Sequence, residues 1–422
     1  MKLQKTIERL QKLHPKEIDL SLNRTKNLLK KLGNSQDQIK CVSVVGTNGK
    51  FSTIQALYAI LKEANYKCNI YTSPHIKIIN ERFIFNNKPL TDDKLINLFS
   101  EIEEANNGAQ ITFFEILTVA YLHYAKKYPE NINLIESGLF HRFDATNVLK
   151  KNLASIITAI GLDHLDWLPK DDQTVEKIIF EKTSTLLNSK IIVAKQSSNE
   201  IYQCIEDTIK NNSSKKIIFN KDYNFVLKND NFFYFEDEFG KLKLPQPNLL
   251  GEFQLENVSS AIATARQLID YKITDEHIKN GITKIENVAR LQELKFGKLK
   301  DLTINNLLFV DGSHNPLGAK VLNEYLQSLN CNKHVILGMM ANKDHNKYLS
   351  YFKDIKSLTT IDIPNQPNAI KGNELVKKIK NFKNISYKNS IEEAILSIDL
   401  KENDIILITG SLYLAGEILN LN

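Results

Sequence analysis

Residues 44–53 read VVGTNGKFST, and how this stretch is taken decides the fold. A β-branched apolar run, CVSVV (41–45), leads into Gly46-Thr47-Asn48-Gly49-Lys50, and a helical pattern follows from Ser52 to Ala64. That order suits a phosphate loop. Glycines let backbone N–H groups turn toward an anion, and the start of a helix adds a favourable dipole. The common pattern G-x-x-x-x-G-K-[ST] is missed twice, by Val44 in place of a glycine and Phe51 in place of a hydroxyl. In the phosphate-loop reading, Lys50 reaches terminal phosphates and Ser52 or Thr53 offers a hydroxyl to a metal. A strand-to-helix turn with an exposed lysine explains the same ten residues equally well.

The surrounding pattern supports a sheet. INLIES (132–137), ASIITAI (154–160) and KIIVAK (190–195) are short apolar runs separated by helical segments, as in a mostly parallel sheet covered on both faces. IIFN, FVLK and FFYFEDEFGKLKL, within 216–244, read as short antiparallel strands of an accessory sheet, followed by a helix from about Asn257 to Asp270. After Asn287 the alternation restarts with strands expected at 306–312, 333–339, 358–363 and 403–410. The expected fold class is α/β: a larger N-terminal domain (1–287) with a mostly parallel sheet, and a smaller Rossmann-like C-terminal domain (288–422). A site at the C-terminal ends of strands, between two such domains, is the expected location.

Composition excludes several classes. The 55 basic and 49 acidic residues are interspersed, so a net charge of +6 suits anionic substrates and gives no nucleic-acid footprint. Cys41, Cys68, Cys204 and Cys331 form no C-x-x-C pair, which argues against a disulfide framework or a thiolate zinc site. The N-terminal MKLQKTIERLQKLH is too charged for a signal-peptide core, and no apolar run reaches membrane-spanning length. A cytoplasmic monomeric enzyme with no membrane or nucleic-acid partner is expected.

Two further motifs bring chemistry to the loop. LIESGLFHRFDATN (134–147) puts Glu136 at the end of a strand, and ITAIGLDHLDWL (157–168) puts His164 just past the next. A carboxylate, an imidazole and a hydroxyl beside a phosphate loop suit magnesium completed by substrate oxygens, and manganese tolerates the imidazole better. Taken singly, Glu136 reads as a salt-bridge partner and His164 as a core histidine.

VVGTNGK, YTSPH (71–75), TFFE (112–115), ESGL..R.DATN (136–147), GLDH.DWL (161–168), EK (181–182), FVDGSHNP (309–316) and TGSLYLAGE (409–417) occur in one order. With IDLSLNR (18–24), the set closely resembles the folylpolyglutamate synthase/dihydrofolate synthase family of the Mur ligase superfamily, over nearly the whole chain. The resemblance implies a P-loop-type ATPase domain followed by a glutamate ligase domain. It also implies an ATP-dependent amide-bond ligase that adds L-glutamate to dihydropteroate or a reduced folate through an acyl phosphate, closure of the domains keeping water out.

Position by position, the resemblance assigns Thr47, Asn48, Gly49, Lys50, Ser52, Asn257, Arg290 and Asp311 to ATP. Ser73, Glu136 and His164 match metal ligands for one or two Mg2+ ions, with Mn2+ as substitute. Lys50, Lys182 and His314 match catalytic positions, Lys182 as an N6-carboxylysine. Ile18, Asp19, Leu20, Thr112, Phe114, Asp144, Ala145 and Thr146 match the pterin pocket. Plainer readings stand beside these: a Ser-Pro turn at Ser73, a helix N-cap at Asn257, a helix-surface lysine at Lys182, and core packing at Phe114.

The chain departs from the family at three glycine-rich places. Phe51 follows Lys50 where the family has glycine, Phe140-His141 replaces a glycine pair, and Thr183-Ser184-Thr185 replaces A-G-I. Lost glycines restrict backbone approach to substrate, and His141 reads as solvent-facing, with a new ligand as the other reading. The alternatives are a diverged non-catalytic nucleotide-binding relative and a cell-wall-type amino-acid ligase. Joint retention of Lys50, Ser73, Glu136, His164, Lys182 and Asp311 argues against the first. DATN, FFE and SLYLAGE argue against the second.

Overall fold

A computed structural model of the chain describes residues 2–16, 19–229, 232–379, 382 and 384–422. They form two compact units: Met1–His164, Leu168–Asn248 and Glu256–Glu286 in the first, Leu165–Trp167, Leu249–Leu255 and Asn287–Asn422 in the second. Among the described residues no helix is long and apolar enough to cross a membrane.

The first unit is built on an eight-stranded sheet. Its strands in chain order are β1 (Lys40–Val45), β2 (Cys68–Tyr71), β3 (Ile84–Phe85), β4 (Lys88–Pro89), β5 (Ile132–Glu136), β6 (Ala154–Ile157), β7 (Lys190–Val193) and β8 (Lys215–Ile218). In space they run β4-β3-β2-β5-β1-β6-β7-β8. The pairs from β2 to β8 are parallel, and the two-residue β3 and β4 close one edge antiparallel. β1 is central because its apolar residues are buried throughout: Cys41, Val42, Val44 and Val45 are at most 1% exposed. The chain leaves β5 on one side of β1 and continues into β6 on the other. Such a reversal of strand order opens a crevice at the carboxyl ends, and the loops after β1, β5 and β6 meet there.

One expectation is corrected. The run around IIFN does not join the accessory sheet; Lys215–Ile218 extends the main sheet, parallel to β7. Two adjacent isoleucines fit either partner, and pairing beside buried β7 covers Ile217 and Ile218. The accessory sheet has three antiparallel strands, β9 (Tyr223–Asn229), β10 (Phe232–Asp237) and β11 (Gly240–Pro245), with β10 central.

The helix Lys50–Glu63 anchors the loop after β1. It buries Ile54, Leu57, Ile60 and Leu61 completely. Against it lies the helix Asp275–Ile282, so close at Gly281 that an added Cβ would sit 2.7 Å from Ile60 Cα and 2.8 Å from Ile60 N.

The second unit has a six-stranded sheet of β12 (Gln292–Glu293), β13 (Leu307–Val310), β14 (Lys333–Leu337), β15 (Ile355–Thr360), β16 (Ile385–Tyr387) and β17 (Ile405–Thr409). The order is β12-β13-β17-β14-β15-β16, parallel except for the β12 edge. Its core packs Phe309, Leu322, Leu326, Val335, Tyr348 and Leu407.

Replacing Gly281 with alanine forces backbone apart from backbone, and overpacking of this kind costs about 1–3 kcal/mol. Calorimetry of Gly281→Ala is expected to show a lowered Tm with an unchanged far-ultraviolet spectrum.

Candidate active site

The loop after β1 is shaped by contacts that leave no room for side chains. Gly46 has φ 143° and Gly49 φ 87°, both in the region that favours glycine. A Cβ on Gly46 would lie 2.0 Å from Thr158 Oγ1, and one on Gly49 2.2 Å from Asn257 Oδ1. Asn257 is therefore not an N-cap: it sits inside the helix Glu252–Gln267, with its amide against the loop. The Thr47 and Asn48 N–H groups both donate to Ala159 O, at 2.9 and 3.1 Å, and Thr47 Oγ1 exchanges bonds with the Gly161 backbone. The loops after β1 and β6 are thus tied together.

Lys50 opens the helix, its ammonium donating to Gly46 O and Thr47 O at 3.2 Å and lying 3.8 Å from Glu136 Oε1. Glu136 ends β5, buried, and accepts the Ser73 N–H at 3.1 Å through Oε2. Ser52 is also buried, on the first turn behind Lys50, and Phe51 beside it is half-buried. His164 has φ 57°, takes Asp163 Oδ1 on its own N–H at 2.9 Å, and meets the Phe140 ring edge-on at 6.4 Å between centroids.

Lys182 is 3% exposed, which removes the surface-helix reading. Its Nζ donates to Leu139 O at 2.8 Å and stands 5.5 Å from the Phe140 ring centre. Burial first, then the charge of Lys50, pushes its amine down to about 7, while Asp163, Asp144 and Glu136 pull the other way. The helix Val175–Thr183 that carries Lys182 is pinned to this loop by Arg142. That guanidinium grips Glu181 through two bonds, at 2.8 and 2.6 Å, and the Arg142 N–H donates to Glu181 O at 2.9 Å.

The loop after β5 carries Asp144, Ala145 and Thr146, all buried. Phe114 meets it at Gly138, where a Cβ would stand 2.9 Å from the Phe114 ring and 3.1 Å from Asp144 Oδ2. Thr112 caps the helix Phe113–Ala125, accepting Glu115 N–H at 3.3 Å while Glu115 Oε2 accepts the Thr112 N–H at 2.8 Å. The structure thus brings Thr112, Phe114, Asp144, Ala145 and Thr146 together. Asp19 joins them indirectly: Arg24 donates to Asp19 Oδ2 at 2.7 Å and to both Glu115 oxygens at 2.9 and 3.0 Å. Leu20 is exposed, and Ile18 lies outside the described residues. His141 is corrected outright. It is 5% exposed and bonded to Ser137 Oγ at 3.1 Å, because the loop folds inward over Lys182.

In the second unit, Asp311 follows β13 and is buried, accepting Leu291 N–H and Ser313 N–H at 2.7 Å. Burial raises its carboxyl above the usual carboxylate range, against the opposing charge of Arg290. Arg290 stands between Ala289 (φ 55°) and Leu291 (φ 49°), and Ala289 O accepts the Gly312 N–H at 2.9 Å. His314 Nδ1 is 3.1 Å from Gly312 O.

Sequence reasoning missed Arg24, Glu115, Ser137 and Asp163. Two carried a signal: Thr112-x-x-Glu115 is a capping-box pattern, and Arg24 ends the quoted IDLSLNR.

Comparison with known proteins bears on the fold and the family. Residues 44–265 match the Mur ligase middle domain, and residues 299–412 the Mur ligase, glutamate ligase domain. The chain is 29% identical to the dihydrofolate synthase/folylpolyglutamate synthase of Haemophilus influenzae, over 97% of this chain and 94% of that protein. It is 29% identical to the enzyme of the same description from Bacillus subtilis, over 94% of each. Among solved structures, Escherichia coli FolC in complex with DHPP and ADP superposes with a TM-score of 0.86 at 26% identity, covering 99% of this chain and 97% of that one. The architecture and the two matched domains define a Mur ligase. Within that class, the chain belongs to the folylpolyglutamate synthase/dihydrofolate synthase family.

Removing Arg24 would leave the Glu115 carboxylate, 5% exposed, without its cation. Breaking such a pair costs about 3 kcal/mol. Urea titration of Arg24→Ala is expected to show that loss, and Arg24→Lys about half of it.

Proposed function

We propose that this chain is an ATP-dependent ligase that joins L-glutamate to dihydropteroate, to reduced folates already carrying glutamate, or to both. The observation that carries the reading is Lys50, on a glycine-shaped loop at the sheet crevice, beside Glu136 at 3.8 Å. In this reading residues 1–287 are the ATP-binding domain and 288–422 the glutamate ligase domain.

The acceptor carboxylate oxygen attacks the γ-phosphorus and the bond to the bridging oxygen breaks, releasing ADP and leaving an acyl phosphate. The glutamate nitrogen lone pair then attacks the acyl carbon. Its proton departs and inorganic phosphate leaves as the amide forms. Thr47, Asn48, Gly49 and Ser52 hold the phosphates, and Lys50 offsets charge on the transferring oxygens. Asn257 keeps the loop in its binding shape. Arg290, Asp311 and His314 take the phosphate, ribose and phosphate- or glutamate-orienting roles that the family pattern suggests. Asp19, Leu20, Thr112, Phe114, Ala145 and Thr146 border the acceptor, with Asp144 behind them.

The donor chemistry fits a divalent cation. Ser73 offers a hydroxyl, Glu136 a carboxylate and His164 an imidazole, a set suited to Mg2+ or Mn2+ completed by substrate oxygens. Among the described residues no three His, Cys, Asp or Glu side chains form a cage of their own. When bound, it supplies Lewis-acid stabilisation of the phosphoryl oxygens. An amine at about 7 also leaves Lys182 partly neutral at physiological pH, the form that adds carbon dioxide. As N6-carboxylysine it would turn a cation into an anion.

The purified protein is expected to form ADP only when glutamate and either dihydropteroate or tetrahydrofolate are both present. Lys50→Ala is expected to lose turnover by about a hundred- to a thousand-fold, as removal of a transition-state charge contact does, with little change in Tm without nucleotide. Failure to turn over any of these acceptors by well-folded protein defeats the reading. In 13C-bicarbonate, carbon NMR is expected to show a carbamate signal that Lys182→Arg abolishes.

A further inference from the structure

The loop after β5 contains a run of buried hydrogen bonds with a fixed direction, and it ends on a histidine where the family pattern has glycine. Asp144 Oδ2 accepts the Gly138 and Leu139 N–H groups at 2.9 and 3.2 Å, and Oδ1 accepts the Thr146 N–H at 2.9 Å and the Thr146 hydroxyl at 2.5 Å. Three of these four donors are backbone amides, which cannot reverse. A carboxylate offers about four lone-pair positions, so every one is filled from within the protein. The 2.5 Å contact has the length of a charge-assisted O–H···O− bond.

The rest of the direction follows by elimination. With Asp144 ionised, as its three backbone donors favour against the upward push of burial, Thr146 spends its only hydroxyl proton on it, so at its 3.2 Å contact with Ser137 Oγ it accepts. Ser137 spends its proton on Thr146, so at its 3.1 Å contact with His141 Nδ1 it accepts as well. His141 must therefore carry its proton on Nδ1. The surroundings oppose a second one: burial, then the charge of Lys182, push the imidazolium down to about 4.

We propose that His141 is a positioning residue of the acceptor site, holding the Ser137–Asn147 loop through the one-way chain His141 Nδ1–H to Ser137 to Thr146 to Asp144. This rests on the ligase reading above. Asp144 then serves as an internal anchor whose acceptor positions are used up. The surface it supports is the Gly138 backbone, packed directly against Phe114. Where glycines would leave this loop free, His141 supplies its order.

The direction is read on the ligand-free protein, so it stands or falls apart from the enzymatic reading. Ring-15N histidine NMR, with the His141 signal identified by its loss in His141→Phe, is expected to show a neutral Nδ1–H ring at pH 7. An Nε2–H ring or an imidazolium overturns the proposal. Amide exchange at Gly138, Leu139 and Thr146 is expected to accelerate about ten-fold in His141→Phe and to return toward the native rate in His141→Asn, which restores an N–H donor. Unchanged exchange in the phenylalanine variant overturns it. With acceptor acid varied, His141→Phe is expected to raise KM about ten-fold with kcat within two-fold, the pattern of lost binding, and His141→Asn to recover most of it. A fall in kcat at unchanged KM overturns the positioning role. Should His141→Phe fail to fold, the ring tautomer is assigned through Ser137→Ala, which removes its partner, and His141→Asn carries the exchange and kinetic comparisons.

Discussion

Two lysines share one acidic corner of the larger unit. Lys50 lies beside Glu136, and buried Lys182 feels the charge of Lys50 together with Asp163, Asp144 and Glu136. Like charges taken out of water repel strongly and lose hydration, so this corner persists only if each cation is held by something that cannot move away. Lys50 rests on two loop carbonyls, and Lys182 on Leu139 O. Those carbonyls are fixed in turn by the β1–β6 loop bonds and the Arg142–Glu181 clamp. With three carboxylates facing two amines, the corner carries no excess of positive charge.

The glycines divide by what the geometry requires. Gly46 and Gly49 remain where a single methyl would collide with Thr158 or Asn257. Where the family pattern has glycine and this chain does not, there is room: Phe51 is half-buried on a helix, and Phe140 packs between Lys182 and His164. Loss of backbone freedom at 140–141 is matched by new contacts from the side chains that arrived.

Much of this was legible beforehand. Continuous apolar runs marked β1, β5, β6 and β7, because strands buried on both faces need them. The pairing of Lys215–Ile218 was not, since so short a run with two isoleucines does not name its neighbour. Even the burial of Lys182 had a trace. It follows Ile178 by four residues and Ile179 by three, so helical spacing sets it on their buried face. The inward turn of His141 had none, because it lies in a loop with no period and depends on its contact with Ser137, which Thr146 bonds in turn. Asn257 was misread locally, as a helix start, because the contact that explains it comes from the far end of the unit's chain.

That contact bears on how the protein is made. β1, its loop and the helix Lys50–Glu63 leave the ribosome early, while the helix carrying Asn257 emerges only after both sheets of the unit have been synthesised. Domains fold as units during synthesis, and about two hundred residues separate Gly49 from the Asn257 amide that braces it. Nucleotide capture in its final form is therefore among the last properties the larger unit acquires.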